Sequence, residues 1–505
     1  MEMQEGRISF VDASFAYPVP QGEQPAYVFR DFTLNIPPGS CTLFCGPSGS
    51  GKSTALKMLN GLIPQLQPGY LGGHIKVNGI DLETVDIVDV GRMSATVFQN
   101  PRTQFFSSHV VSEIAYAGEN YQVPPDELWE RITRAAHGTR VSHLLNRSLH
   151  TLSGGQLQSV AEASALAAHV PVLLFDEPTA NLSPEAITNF ARLLAEQKSA
   201  GKTIVIAEHR LYFLRDLVDQ VVYFHPGERP EIIDGKKFFC ITESERRARG
   251  IRTLHRPDSG CVPSVFLNQK ETDERVSGEQ SDVEPPLSSG VSLRNVRFSY
   301  KENLVLDNVT TDFPAGAITA ITGPNGAGKT TLARLLCGLL KPESGEIFLD
   351  GNAMSPRKLT NQTSIVMQDV HRQLFSDSVV GEIALGADRD VDAEALLAQL
   401  DLTHTADRHP LSLSGGQKQR LVIAAALATK RRLVLFDEPT SGVDYRQLES
   451  IGSLFRSLAQ QGHVVVVITH DQELIATCAD LVTDIVPIHE TRAALSHKDE
   501  YERHI

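Results

Sequence analysis

The chain has 505 residues, 41% apolar and 21% charged, with 47 Lys and Arg against 61 Asp and Glu and a formal charge of −14. That length holds two to four domains, each able to bury its own core. The acidic balance argues against a nucleic-acid partner, because phosphate binding shows up as a basic face, and the longest apolar runs, such as VVVVI before Thr469, fall far short of the roughly 18 residues that span a bilayer.

No charged start followed by an apolar segment reads as a signal peptide. Six cysteines (41, 45, 240, 261, 337 and 478) show no metal-ligand spacing. Cys41 and Cys45 fall on a predicted buried strand, so they read as small core hydrophobes in a reducing compartment.

In chain order, the apolar strand CTLFC runs into GPSGSGKS, Gly46 to Ser53, and then into the helix KSTALKMLNGL, which ends at Gly61. The pattern GxxxxGK[ST] between a strand and a helix is a phosphate-binding loop. Its glycines let backbone N–H groups turn inward, Lys52 neutralises the outer phosphates, and the Ser53 hydroxyl takes a place on Mg²⁺. The helix N-terminus points at the bound anion. Next comes QNPRTQFFS, Gln99 to Ser107, and then LSGGQ, Leu152 to Gln156. The strand VPVLLFDEP follows, ending in Asp176, placed to hold Mg²⁺ through water, and Glu177, placed to polarise the attacking water. Ligands bind at the carboxyl ends of strands in open α/β sheets, which suits both roles. The strand TIVIAEH closes this set at His209.

All of these landmarks return. AITAIT leads into GPNGAGKT, Gly323 to Thr330, with a helix ending at Gly338; QDVHRQLFS spans Gln368 to Ser376; LSGGQ spans Leu413 to Gln417; RRLVLFDEP carries Asp437 and Glu438; and VVVVITH ends at His470. The offset is 277 residues from Lys52 to Lys329, 269 from Gln99 to Gln368, and 261 from Ser153 to Ser414, Glu177 to Glu438 and His209 to His470. This is a duplicated domain, since the period is far too long for a solenoid. The expected organisation is α/β, with one nucleotide-binding domain over 1–238 and another over 291–505. Between them, 239–290 reads as a largely flexible linker: QKETDERVSGEQSDVEPPLSSG is polar, acidic and closed by Pro and Ser. The basic run SERRARGIRTLHR ahead of it reads as a solvated helix end or as a contact for anionic lipid.

With LSGGQ in place, each half resembles the nucleotide-binding domain of the ATP-binding cassette family. The resemblance implies two P-loop NTPase domains, each with a mixed or parallel sheet core, an antiparallel β subdomain and a helical subdomain. It implies ATP and Mg²⁺ as cofactor set. The ATP contacts would be Gly46, Ser48, Gly49, Gly51, Lys52, Ser53 and Thr54 in the first half, and Gly323, Asn325, Gly326, Gly328, Lys329, Thr330 and Thr331 in the second. Tyr17 and Tyr300 match the adenine-stacking aromatic, with a plain strand aromatic as the other reading. Magnesium would fall to Ser53, Gln99 and Asp176, and to Thr330, Gln368 and Asp437. Glu177, Glu438, His209 and His470 would be catalytic, the histidines contacting the γ-phosphate unless they are packed structural residues. In the family the signature acts in trans, so Ser153, Gly154, Gly155 and Gln156 would close one site, and Ser414, Gly415, Gly416, Gln417 and Asp444 the other.

The residues after Gln99 and Gln368 begin, in the family, the helical subdomain whose groove receives a coupling helix of a membrane protein. Q-N-P-x-x-Q-x-F and Q-x-x-x-x-Q-L-F are similar to the energy-coupling factor subgroup and its cobalt and nickel relatives, as is the AEHR after the first histidine strand. Gln104, Phe105, Phe106, Gln373, Leu374 and Phe375 would line that groove, unless Phe106 and Phe375 simply fill the subdomain core. The implied partners are a transmembrane scaffold like a T-component and a small substrate-binding membrane protein. The implied place is peripheral, on the cytoplasmic face of a bacterial cell membrane. The fused ATPase of a sugar importer and a soluble tandem-cassette translation factor acting on ribosomes are the rival readings. Two departures distinguish the halves: Ser159 stands where the second half has Arg420, and Ser183 where it has Asp444. Both fall on the site of Lys329 and Glu438, which predicts faster turnover at the site of Lys52 and Glu177.

Overall fold

A computed structural model describes residues 6–19, 24–180, 182–257, 260, 262–267, 285–301, 303–367, 370–388, 390–413 and 415–488. Two compact units result: Met1–Arg256 together with Gly442–Arg446, and Pro257–Ser441 together with Gln447–Ile505.

In the first unit a six-stranded sheet runs in the order Glu231–Asp234, Gln220–Tyr223, Cys41–Cys45, Thr203–Ala207, Val172–Asp176, Ser94–Val97. Its pairings are parallel except for the outermost, where Glu231–Asp234 returns as a hairpin on Gln220–Tyr223. CTLFC, VLLFD and TIVIA are buried at every position. Such continuous apolar runs are what a parallel sheet covered on both faces requires. Cys41 and Cys45 accordingly sit in the core. A four-stranded antiparallel sheet built on Ile8–Ala16 and Tyr27–Ile36 packs its phenylalanines, Phe10, Phe15, Phe29 and Phe32, over the phosphate-loop helix. A helical layer, Val110–Asn120, Pro125–Gly138 and Gly154–Ala167, closes on its own core of Val110, Ile114, Leu128, Ile132, Leu157 and Val160.

The second unit repeats this plan with one exchange. Its six-stranded sheet is parallel throughout, and the outer position is filled by Ser264–Leu267, which pairs in parallel with Leu481–Ile485. Leu267 enters the second core. The strand therefore lies inside the segment read as linker, as does the helix Glu243–Ala248 of the first unit. Residues 268–284, which hold most of the acidic Pro/Ser stretch, lie outside the described residues. Among the described residues no helix is long and apolar enough to cross a membrane.

Candidate active site

Sheet register brings the chemistry together. Asp176 pairs with Ala207 and Asp437 with Ile468, so each acidic strand end lies beside the strand that carries the histidine. One residue further, the Glu177 N–H donates to the Ala207 carbonyl at 2.8 Å and the Glu438 N–H to Ile468 at 2.9 Å. Both glutamates adopt left-handed backbone, φ 47° and 49°. A non-glycine residue held there stores strain, a feature that clusters at functional sites.

The phosphate loops are cradles. A Cβ at Gly46 (φ 137°) would lie 2.5 Å from the Phe224 carbonyl, and one at Gly323 (φ 133°) 2.5 Å from the Ile485 carbonyl, so only glycine fits. The following helices, Lys52–Leu59 and Lys329–Leu336, begin on left-handed glycines and end just before Gly61 and Gly338, again left-handed. Lys52 Nζ donates to the carbonyls of Gly46 and Pro47 at 3.0 and 2.9 Å; Lys329 Nζ donates to Gly323 and Pro324 at 2.7 and 3.0 Å. Burial pulls both ammonium groups below their ordinary range, which an arriving phosphate would reverse.

In the first unit the Ser53 hydroxyl donates to Asp176 at 2.8 Å, and Gln99 Nε2 donates to Glu177 at 2.7 Å. His209 Nε2 stands 3.4 Å from the other Glu177 oxygen. Burial raises Asp176 to about 6, with Glu177 adding to the rise, and raises Glu177 to about 7. It also drives His209 well below its ordinary value, leaving a neutral imidazole. Hydroxyl and carboxylate oxygens side by side, next to a buried lysine, are the hard donor set a magnesium ion takes. Ser53 and Asp176 therefore fit the ion.

In the second unit Glu438 accepts from the Thr469 hydroxyl at 3.2 Å and from the His470 N–H at 3.4 Å, and His470 Nε2 is 3.9 Å from its other oxygen. Burial raises Asp437 as well. Gln368 and Ser414 lie outside the described residues.

Tyr17 and Tyr300 stand half-exposed at the edge of each cradle, packed edge-on against Phe15 and Phe298. Tyr17 exchanges a hydrogen bond with Thr54 at 3.0 Å, and Arg334 donates to the Tyr300 hydroxyl. Ser153 caps the helix Gly154–Ala167 in a reciprocal box with Gln156. Such a cap leaves the remaining first-turn N–H groups to face an anion. Ser183 caps the helix Pro184–Ser199 by accepting from Ala186. Asp444 belongs to the first unit, where it accepts from the Ser48 N–H at 2.9 Å.

The repeated glutamine segment splits into three jobs. Gln104 folds back to accept from the Phe98 N–H at 2.9 Å, and Gln373 accepts from Met367 at 2.7 Å while donating to Ile365. Phe105 packs between the sheet core and the helical core. Phe106 and Phe375 are 75% and 80% exposed, so neither fills the subdomain core. Phe106 stacks on Tyr116, 4.9 Å between centroids.

Sequence reading missed what holds those rings outward. Buried Glu113 accepts from the Phe106 and Ser107 N–H groups at 3.0 and 2.8 Å, and buried Glu382 accepts from Phe375 and Ser376 at 2.8 Å each. The signal was available: V-V-x-E-I occurs at Val110–Ile114 and Val379–Ile383, at the same 269-residue offset as the glutamines.

The ABC transporter family pattern matches residues 29–180 and 306–441, one segment per unit. The chain belongs to the ABC transporter family. It is a tandem ABC ATPase, and domains of this kind bind ATP with Mg²⁺. A putative ABC transporter ATP-binding protein of Treponema denticola is 38% identical and covers 90% of each chain. The putative HMP/thiamine import ATP-binding protein YkoD of Bacillus subtilis is 31% identical, over 95% of this chain and 89% of its own. The archaeal ribosome recycling factor aABCE1, solved with the stalk protein aP1, shares the fold at 21% identity and a TM-score of 0.59, over 96% of this chain and 92% of its own.

Proposed function

We propose that this ABC ATPase energises a membrane importer of the energy-coupling factor type, carrying a micronutrient such as a vitamin or a metal ion. The observation behind this reading is the matched pair Phe106 and Phe375, exposed aromatic rings whose backbone is clamped by a buried glutamate in each unit. A rigid apolar projection on a helical subdomain suits a short amphipathic helix docking alongside it. The occupant would be a cytoplasmic helix of a T-component-like scaffold, with a small membrane protein selecting the substrate. Kinship to YkoD, named for HMP/thiamine import, supports the micronutrient class. The chain would then sit on the cytoplasmic face of the membrane, held there by its partners.

At each cradle the lysine and the loop N–H groups would hold the triphosphate. Bound magnesium would supply charge neutralisation on the β- and γ-phosphates, held by Ser53 with Asp176 and Gln99, and by Thr330 with Asp437 and Gln368. Glu177, brought by burial to about 7, is matched to neutral pH for accepting a proton from the attacking water. Neutral His209 can donate toward the γ-phosphate without adding a buried charge.

The test is affinity purification of the tagged chain from detergent-solubilised cells of its host, with co-purifying proteins identified by mass spectrometry. A polytopic scaffold together with a small, strongly hydrophobic protein is the expected result. Maltose- or other sugar-type permeases, or ribosomal proteins with no membrane protein, would overturn it.

A further inference from the structure

The basic run Ser244–Arg256 is neither a wholly solvated helix end nor an open cationic surface, for Arg246 and Arg252 are only 5% and 2% exposed. Arg246 forks onto Glu243 at 2.7 and 2.6 Å, donates its remaining guanidinium arm to the Ile251 carbonyl, and lies 4.4 Å over the ring of Tyr445. Beside it the Gly250 carbonyl accepts from the Tyr445 N–H at 3.2 Å, and the Ala248 carbonyl accepts from Arg446 at 2.8 Å. Gly250 is left-handed (φ 69°), and a Cβ there would crowd Arg446 at 3.1 Å. All of these groups lie within the first unit.

One residue before Tyr445, buried Asp444 accepts from the Ser48 N–H of the phosphate loop. Two residues before that, Gly442 passes so close to Gln99 and Glu177 that a Cβ would fall 2.4 and 2.5 Å from their side-chain atoms. The five-residue stretch 442–446 is thus threaded past the Glu177 carboxylate at one end and gripped by an aromatic ring, a backbone bond and an arginine at the other.

We propose that the helix Glu243–Ala248 and the turn through Ile251 form a clasp that positions Asp444 on the phosphate loop, making Arg246 and Tyr445 positioning residues for ATP hydrolysis at the Lys52 site. The inference rests on the family's ATPase activity and on that site, and is independent of the importer reading. A stacked arginine and two backbone-directed bonds restrain a short segment, so the clasp acts on where Asp444 sits. Misplacing a group at a reacting centre by about 1 Å costs on the order of 100-fold in rate. A loosened but tethered carboxylate should cost less.

The experiment is steady-state phosphate release by the full chain in a Glu438→Gln background, which leaves the Lys52 site to be read. Tyr445→Ala should lower kcat about 10-fold with KM for ATP within about threefold, and Tyr445→Phe, which keeps the ring under Arg246, should recover it. Asp444→Ala should cost at least as much, and the double variant Asp444→Ala/Tyr445→Ala no more than Asp444→Ala alone. Arg446→Ala, an exposed change, should lower kcat by a smaller factor and be equally silent once Asp444 is gone; it carries the test should Tyr445→Ala not fold. Losses that multiply in the double variants, or a Tyr445→Ala enzyme with unchanged kcat, would overturn the clasp.

Discussion

The helices that follow the two LSGGQ signatures occupy equivalent places and are buried by the same helical neighbours, yet their polar residues meet opposite fates. In the second unit Gln419 donates to the Pro439 carbonyl, tying the helix directly to the residue after Glu438. In the first, Gln158 is buried with no partner for its Nε2 among the described residues, and one turn on, Glu162 is buried with an oxygen that has none among them either, where the second helix carries Ile423. Desolvation raises Glu162 to about 8. The residues before the two histidines differ as well: Glu208 accepts from the His209 N–H, whereas Thr469 donates its hydroxyl to Glu438. Duplication preserved the landmark residues while the polar residues packed around them drifted, so two sites with the same motif need not turn over alike.

The sharpest way to break that comparison is kinetic. Glu177→Gln should slow its own site by about 10² to 10⁴-fold, the scale of a lost general base, and so remove the larger share of ATPase activity, leaving the turnover of the Lys329 site. Glu438→Gln should cost less than about twofold, because the Lys52 site would carry most of the turnover. Equal residual phosphate release in the two variants would remove the asymmetry.

Docking comes next. Phe106→Ala combined with Phe375→Ala should lower recovery of the membrane scaffold from detergent extract at least 10-fold, as loss of a pair of aromatic anchors does. The rings are solvent-exposed, so the thermal midpoint should hold. Undiminished recovery would remove the phenylalanines from the contact.

Glu162 sharpens the comparison through stability. Its folded pKa is raised above the unfolded value, so the native state holds the proton more tightly. The penalty for its charge is absent below about pH 4.5, grows as pH rises, and is complete above about pH 8, reaching on the order of 5 kcal/mol. Glu162→Ile, which copies the second unit, should raise the stability of the first unit at pH 8 and flatten its fall between pH 4.5 and 8 in denaturant titrations. An unchanged pH slope would show that the carboxyl finds a partner or water.

Smallest is the clamp beneath the exposed rings. Glu113→Ala should cost about 1 to 3 kcal/mol, since it strands two N–H groups that now share a buried carboxylate. Glu382→Ala should match it in the second unit. A difference beyond about 1 kcal/mol, read from the two unfolding transitions, would show that the clamps are not equivalent despite their matching geometry.

Much of this molecule was legible as text because its function rests on backbone geometry that only certain residues permit. Gly46, Gly51, Gly323 and Gly328 adopt left-handed or strained backbone that excludes side chains, so the phosphate loops announced themselves. Strands buried on both faces must be apolar throughout, which made CTLFC, VLLFD and VVVVI readable. The linker was harder. Ser264–Leu267 looks like any short apolar run, and only a vacant outer position beside Leu481–Ile485 makes it a strand. Likewise Arg246 is indistinguishable in sequence from its exposed neighbour Arg247, and the partner that buries it lies about 200 residues away.

By itself the sequence determined the duplicated ATPase plan and the residue types at each cradle, because local backbone chemistry and apolar periodicity act over a few neighbouring positions. Tertiary structure alone decided which Phe faces water and which the core, which glutamine turns back on its own strand, how Glu177 and Glu438 are tied, and that a basic stretch grips Tyr445. Those outcomes depend on contacts between residues distant in the chain, and free energies of that kind are set by the packed surroundings of a side chain and not by its identity.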